Sequence, residues 1–125
     1  VEIIRAAAAS TTSYVASSDF VVQPHHKQFG LQLNITKGDA TSFEWYLEGK
    51  DEDGNYARLT SSSVSAGTAT HSLLANTIAA SGLATDEKIF DPYERYAYAR
   101  YRCQFKRTGG TGTDSVEIVV RKAVF

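Results

Sequence analysis

Cysteine occurs once in this 125-residue sequence, at Cys103, and proline only twice. A lone thiol leaves no internal disulfide, so the fold must be held by burial and hydrogen bonding and not by cystine staples. No apolar run approaches the ~20 residues that a membrane-spanning helix needs. The opening stretch Val1–Ser10 superficially resembles a leader, but Glu2 and Arg5 interrupt its apolar part, and the chain is expected to be made in the cytoplasm and not exported. Thirteen basic residues stand against fourteen acidic ones, a formal charge of −1, so nothing global favours nucleic acid or an anionic membrane as partner.

What the sequence does have is alternation. Phe29, Leu31, Leu33 and Ile35 are apolar, and Gly30, Gln32, Asn34 and Thr36 between them are small or polar, the period of a half-buried strand. Residues 36–40 supply a turn, and Phe43, Trp45 and Leu47 then alternate with Glu44, Tyr46 and Glu48. The segment 51–55 reads as a second turn before a third strand from Tyr56. We therefore expect a three-strand antiparallel meander over 29–60, with one greasy face that needs a second layer. Tyr101, Cys103 and Phe105 alternate with Arg100, Arg102, Gln104 and Lys106, and Val116, Ile118 and Val120 follow a flexible glycine-rich loop. This terminal hairpin is the natural second layer, so the expected fold is all-β: an antiparallel β-sandwich or jelly-roll-like barrel of seven or eight strands.

Other segments are weaker. Residues 1–13 are Ala/Ser/Thr-rich and read as an arm, frayed or ordered against a neighbour, ahead of a single domain over 14–125. Residues 14–22 form a strand ended by Pro24. Within 61–84 a strand is expected over 68–75, with a short helix over 73–80 as the alternative. Asp91-Pro92 marks 86–93 as a connecting loop. Charge is segregated along the chain: acids dominate 39–55 and bases dominate 95–125. Two such poles suit contacts between copies, or else they face each other within one sheet pair.

Tests for chemistry return no enzyme. Cys103 falls on the apolar side of its strand, where a thiol is structural. His25 and His26 point opposite ways on an extended chain, and with His71 they do not make a zinc site, so no metal or cofactor is expected. Asp51-x-Asp53-Gly54 has the front of a calcium loop without its later ligands and reads as a solvated turn. The glycine-rich loop lacks the lysine and the following helix of a phosphate loop. One feature remains. Tyr96, Tyr98, Arg100 and Arg102 repeat every second residue on the polar side of a strand, and Tyr and Arg are the residue types enriched at interface cores. Ordinary solvent-facing cross-strand pairing is the second reading of the same letters, and stacking on single-stranded nucleic acid a weaker third in a chain of net negative charge.

The run Thr36-Lys37-Gly38-Asp39-Ala40-Thr41-Ser42, the alternating strand after it and Asp53-Gly54 resemble a pattern in small structural proteins of tailed bacteriophages. A tyrosine-rich strand, the Gly110–Thr113 loop and the strand Ser115–Ile118 are similar to the later part of those proteins. The resemblance implies a virion component, foremost a head decoration or cement protein on the capsid surface. It would be trimeric, bound to the major capsid protein through Tyr96, Tyr98, Arg100 and Arg102, and without nucleic-acid or membrane partners. Two other readings stay open: a carbohydrate- or receptor-binding module of a tail fibre, with Tyr46 and Tyr56 stacking on sugars, and a tail or neck completion subunit.

Overall fold

The alternation from Phe29 to Ile35 becomes a strand whose four apolar side chains are buried against a second layer. In chain order the strands are β1 (Glu2–Ala9), β2 (Val15–Ala16), β3 (Phe20–Val21), β4 (His26–Thr36), β5 (Ser42–Lys50), β6 (Tyr56–Arg58), β7 (Thr60–Ser65), β8 (Thr68–Leu73), β9 (Asn76–Ala79), β10 (Asp86–Glu94), β11 (Arg100–Thr108) and β12 (Ser115–Val124). A single 3-10 turn, Ala80–Gly82, is the only helical element among the described residues. This computed structural model describes the backbone of residues 2–73, 76–94 and 97–124, and side chains over the same residues except 27, 60–65, 69–73 and 123–124.

One sheet has the order β1-β12-β4-β10; the other has β2-β11-β5-β6, with β3 also on β11 and β9 also on β5. Short strands share edges: β2 and β3 both lie along β11, while β6 and β9 both lie along β5. Counting each such pair as one interrupted strand leaves eight positions, ordered 1-8-3-6 in one sheet and 2-7-4-5 in the other. Positions 1·8, 2·7, 3·6 and 4·5 pair as in one long hairpin, and rolling it up sets 8 beside 3 and 7 beside 4. That is the jelly roll. The sandwich expected from the sequence is present, and the shared edges explain why its short strands number ten in the two sheets among the described residues.

The jelly roll corrects two expected hairpins. β4 and β5 do not pair; the chain crosses from one sheet to the other over residues 37–41, and of the expected meander β5 and β6 alone pair with each other. β11 and β12 likewise lie in opposite sheets. Alternation fixes which face of a strand is buried but not which neighbour it pairs with, and two strands facing each other across a core carry the same letters as two strands side by side. Residues 86–93 are not a loop. They form the edge strand β10, paired along β4 from Asp86–Thr36 to Glu94–Gln28. Pro92 is tolerated because an edge strand leaves one side of its backbone unpaired.

Residues 2–9, expected as an arm, pair with β12 inside the same chain. The ladder shifts register between Ile3 and Arg5 and again between Arg5 and Ala8. The first shift sets Ile4 and Arg5 opposite Ile118 alone, so Ile4 is buried and Arg5 is drawn toward the core, its guanidinium 5.6 Å from the Phe105 ring. Arg5 Nη2 donates to Ala9 O, and Nη1 is enclosed without an acceptor. Between the sheets, Phe29, Leu31, Leu33, Ile35, Val116, Ile118 and Val120 meet Phe20, Phe43, Leu47, Tyr101 and Phe105. Cys103 is fully buried there, as expected, and burial pushes its thiol pKa well up.

One end of the sandwich is tied shut. The crossing at 37–41 and the crossing at 109–114 lie against each other through two aspartates. Asp114, fully buried, accepts from Gly38 N at 2.6 Å and Ala40 N at 3.1 Å. Asp39 accepts from Thr111 N and from the Thr111 and Thr113 hydroxyls, and these bonds hold its carboxyl down to about 2. Arg107 adds bonds to the Ser10 and Gly109 carbonyls. The glycine-rich loop is therefore fastened, not flexible. Gly110 takes φ 77°, and a Cβ there would stand 2.7 Å from Asp39 Oδ1.

Candidate functional site: the outer face of the β11–β5–β6 sheet

Because Phe43, Trp45 and Leu47 of β5 and Tyr101, Cys103 and Phe105 of β11 face the core, their neighbours face outward. Register then sets Arg102 beside Glu48 and Glu48 beside Arg58, with Gln104 opposite Tyr46 and Lys106 opposite Glu44. Glu48 Oε1 accepts from Arg102 Nε and Gln104 Nε2, each at 2.8 Å. Arg102 stacks on the Tyr56 ring at 3.4 Å, and Arg58 stacks on the Tyr46 ring at 3.9 Å. The face is a mosaic of cation, ring and carboxylate, and its members are all half-buried save Glu48, which is buried.

The mosaic extends past β11 to residues that sequence spacing did not join to it. Tyr14 donates to Glu44 Oε1, sets its ring edge-on to Tyr46 at 4.8 Å, and has Lys106 Nζ 4.8 Å from its ring centre. Burial, with the Glu44 bond and charge, pushes the Tyr14 phenol pKa well up, so the phenol is a fixed donor and not a nucleophile. Tyr56 donates to Asp19 at 2.5 Å, and Lys50 reaches the same carboxylate at 3.2 Å. Burial alone would raise the Asp19 pKa; these two bonds outweigh it and hold the carboxyl below its ordinary range.

The residues singled out from the sequence divide. Tyr96 lies outside the described residues. Tyr98 precedes β11 and packs partly buried against the core, edge-on to Tyr101 and lying over Gly49, where an added Cβ would meet its ring at 2.2 Å. Arg100 is exposed at the start of β11, and Arg102 is in the mosaic. Of the described members of the expected row, Arg100 and Arg102 share the outer face of the strand, and Tyr98 packs against the core. Tyr98 and Arg100 do meet again as the lining of an open groove with Lys50 and the acidic turn at Asp51 and Glu52. Tyr46 and Tyr56, the candidates for sugar stacking, each have a ring face taken by a guanidinium.

The charge poles meet inside one chain, at Arg102–Glu48 and Lys106–Glu44. The Asp51 turn is closed by its own side chain, which accepts from Asp53 N and Asn55 N at 2.9 Å each. His25 and His26 depart from the extended geometry expected of them: they sit at a turn with ring centres 4.1 Å apart. Among the described residues no group of three or more metal-ligating side chains converges.

At the other side of the sandwich Trp45 Nε1, the Asn76 amide and the Tyr93 hydroxyl all donate to Asp91 Oδ2. This network joins β5 and β9 to β10 across the two layers. Its Asp91 and Tyr93 lie in the segment that sequence reading had made a loop, and the only signal for them was the alternation Ile89, Asp91, Tyr93.

No family model matches this chain, and no curated protein matches it. Among solved structures it is similar to the SPBc2 prophage-derived protein YomS at 20% identity, over 97% of this chain and 96% of that one, with a TM-score of 0.38. At that score the likeness fixes neither fold nor role.

Proposed function

We propose that this chain is a non-enzymatic structural protein of a phage virion, a head decoration protein whose outer β11–β5–β6 face docks on the major capsid protein. The carrying observation is that the Tyr and Arg side chains of this face are already stacked and hydrogen-bonded while still half exposed. Ordering a long side chain on binding costs about 0.5–1.5 kcal/mol, and side chains ordered beforehand avoid most of that cost. The sequence resemblance supplies the capsid as partner; the jelly roll is a scaffold that capsid domains use, among many others. A lattice then adds many such contacts together.

Capsids lacking the protein, mixed with parent chain or with a Tyr56→Ala, Arg102→Ala double variant, test this reading. The variant is expected to lose occupancy while melting close to the parent. Occupancy equal to the parent's removes the assignment, and binding to a glycan array in place of capsids supports the fibre reading.

A further inference from the structure

Three large apolar side chains are exposed among the described residues, and two of them, Ile3 at 58% and Phe90 at 56%, share one row of one sheet face. Register sets Ile3 beside Val119, Val119 beside Gln32 and Gln32 beside Phe90, so the row crosses all four strands of the β1-β12-β4-β10 sheet. It lies on the outer face, because the flanking Ile118, Val120, Leu31, Leu33 and Ile89 turn inward to the core. Phe90 does not project past the sheet edge. Its ring folds back over Gly30 of β4, where an added Cβ would meet it at 2.2 Å. The fold therefore holds this ring in place, and a side chain ordered beforehand costs less to bind. Apolar residues scattered singly on a surface need no explanation, but two at opposite ends of a shared row do.

Charge on this face lies to either side of the apolar row. On one side β10 carries Lys88 and β12 carries Glu117, with Asn34 of β4 between them in register. Two strand spacings, about 10 Å, keep Lys88 and Glu117 apart within one chain. Glu117 accepts from the Asn34 amide at 2.8 Å, and Lys88 is exposed. On the other side Arg121 of β12 stands beside Gly30, with Pro92 next to it and the exposed Glu94 beyond. Arg121 Nε donates to Gln32 at 2.7 Å, which fixes the guanidinium against the face. In the same direction across the rows, β12 therefore bears a negative and then a positive charge where β10 bears a positive and then a negative one. Asp86, at the far end of β10, accepts from the Thr36 hydroxyl.

We infer that this face packs on the same face of a second copy of the chain, about a two-fold axis running along the strands between β12 and β4. β10 of one copy then lies over β1 of the other and β12 lies over β4, so Phe90 meets the second copy's Ile3, and the contact occurs twice. The same operation brings Lys88 beside the second copy's Glu117. It also sets Arg121 over the second copy's Gly30, next to Glu94, so opposite charges meet at both contacts. Stacked sheets lie about 10 Å apart with their strands within about 30°, a gap that a Lys and a Glu side chain span together. The four strands present about 20 Å by 30 Å, so the pair buries about 1,200 Å² in total, the low end of stable interfaces. Any other occupant would have to match this alternation of charge, whereas a second copy matches it by symmetry. The pairing uses the sheet opposite to the proposed capsid face and does not rest on that reading. It is two-fold where the resemblance implies a trimer, and mass separates the two.

Sedimentation of the free chain tests it. At about 200 µM, above the micromolar Kd expected of that area, the parent is expected to have the mass of two chains. Phe90→Glu is expected to be monomeric with the parent's circular dichroism spectrum, and Ile3→Lys repeats the test from the other edge should Phe90→Glu misfold. Lys88→Glu alone is expected to weaken pairing about tenfold, because each charge contact occurs twice. Adding Glu117→Lys to Lys88→Glu is expected to restore the parent's affinity. A two-fold axis across the strands would set Glu117 against Arg121 instead, and the double variant would then stay weak. A parent with the mass of one or of three chains, a folded Phe90→Glu chain that pairs as the parent does, or a double variant no tighter than Lys88→Glu overturns the inference.

Discussion

The fastened end of the sandwich and the outer β11–β5–β6 face both use charge, and they use it differently. At the end, Asp39 and Asp114 accept from backbone amides of the facing crossing, and Asp114 is fully buried. On the face, Arg102 bonds to the buried Glu48 and stacks on Tyr56, and Arg58 stacks on Tyr46, with both guanidiniums and both rings half-buried. Backbone bonds at the end fix the path of the chain, and losing Asp114 leaves the buried Ala40 amide and the part-buried Gly38 amide without their acceptor. The stacked rings and guanidiniums on the face remain in reach of water, so losing one costs less than orphaning a buried backbone amide. The end is therefore where the fold is set, and the face is the surface proposed for docking.

Substitutions at the two regions should separate along this line. Asp114→Ala leaves Gly38 N and Ala40 N unsatisfied and is expected to cost about 3 kcal/mol in denaturant unfolding. Gly38→Ala puts a Cβ 2.7 Å from the Thr113 carbonyl carbon, which is backbone and yields poorly; a loss of about 2 kcal/mol is expected by the same measurement. Tyr56→Ala with Arg102→Ala on the face should cost well under either.

Asp39 sharpens the comparison through pH. Its folded pKa is lowered to about 2 from an ordinary 3.8, so its stabilising contribution is complete above pH 4 and is lost as pH falls through 2. Melting temperatures between pH 6 and 2 should fall more steeply for the parent than for Asp39→Asn, and parallel curves would place the fastening elsewhere. The smallest effect is expected at Arg5. Its enclosed Nη1 has no acceptor, so Arg5→Met should leave stability unchanged or raise it by about 1 kcal/mol.

The same comparison shows what was legible in the sequence. Alternation identified the core-facing residues of β4, β5, β11 and β12, because burial on one face is a local property, while Glu48 and Val119, read as lying on the opposite faces, are buried too. Pairing was not legible: the crossings at 37–41 and 109–114 have the glycines and short lengths of hairpin turns, and only their meeting through Asp39 and Asp114 shows them to be links between sheets. The letters that carry the phage resemblance, Lys37-Gly38-Asp39-Ala40 and Gly110–Thr113, are the two halves of that fastening. In this chain they tie a sandwich end. On the face, Arg102 was found because it lies in one strand with its polar neighbours. Tyr14, Arg58 and Asp19 come from other strands or loops, and no spacing along the chain could join them to it. Tyr98 misled because the strand begins at Arg100, so the alternation counted back to Tyr98 had no pleat to follow.

The division between a fastened end and a docking face is tested most directly by a hydrogen-exchange and side-chain labelling footprint of the chain bound to capsids. Protection is expected at Tyr14, Tyr46, Tyr56 and along β6 and β11, with residues 37–41 and 109–114 unchanged from the free protein. Protection centred on those two crossings, with Tyr46 and Tyr56 still labelled, would contradict it.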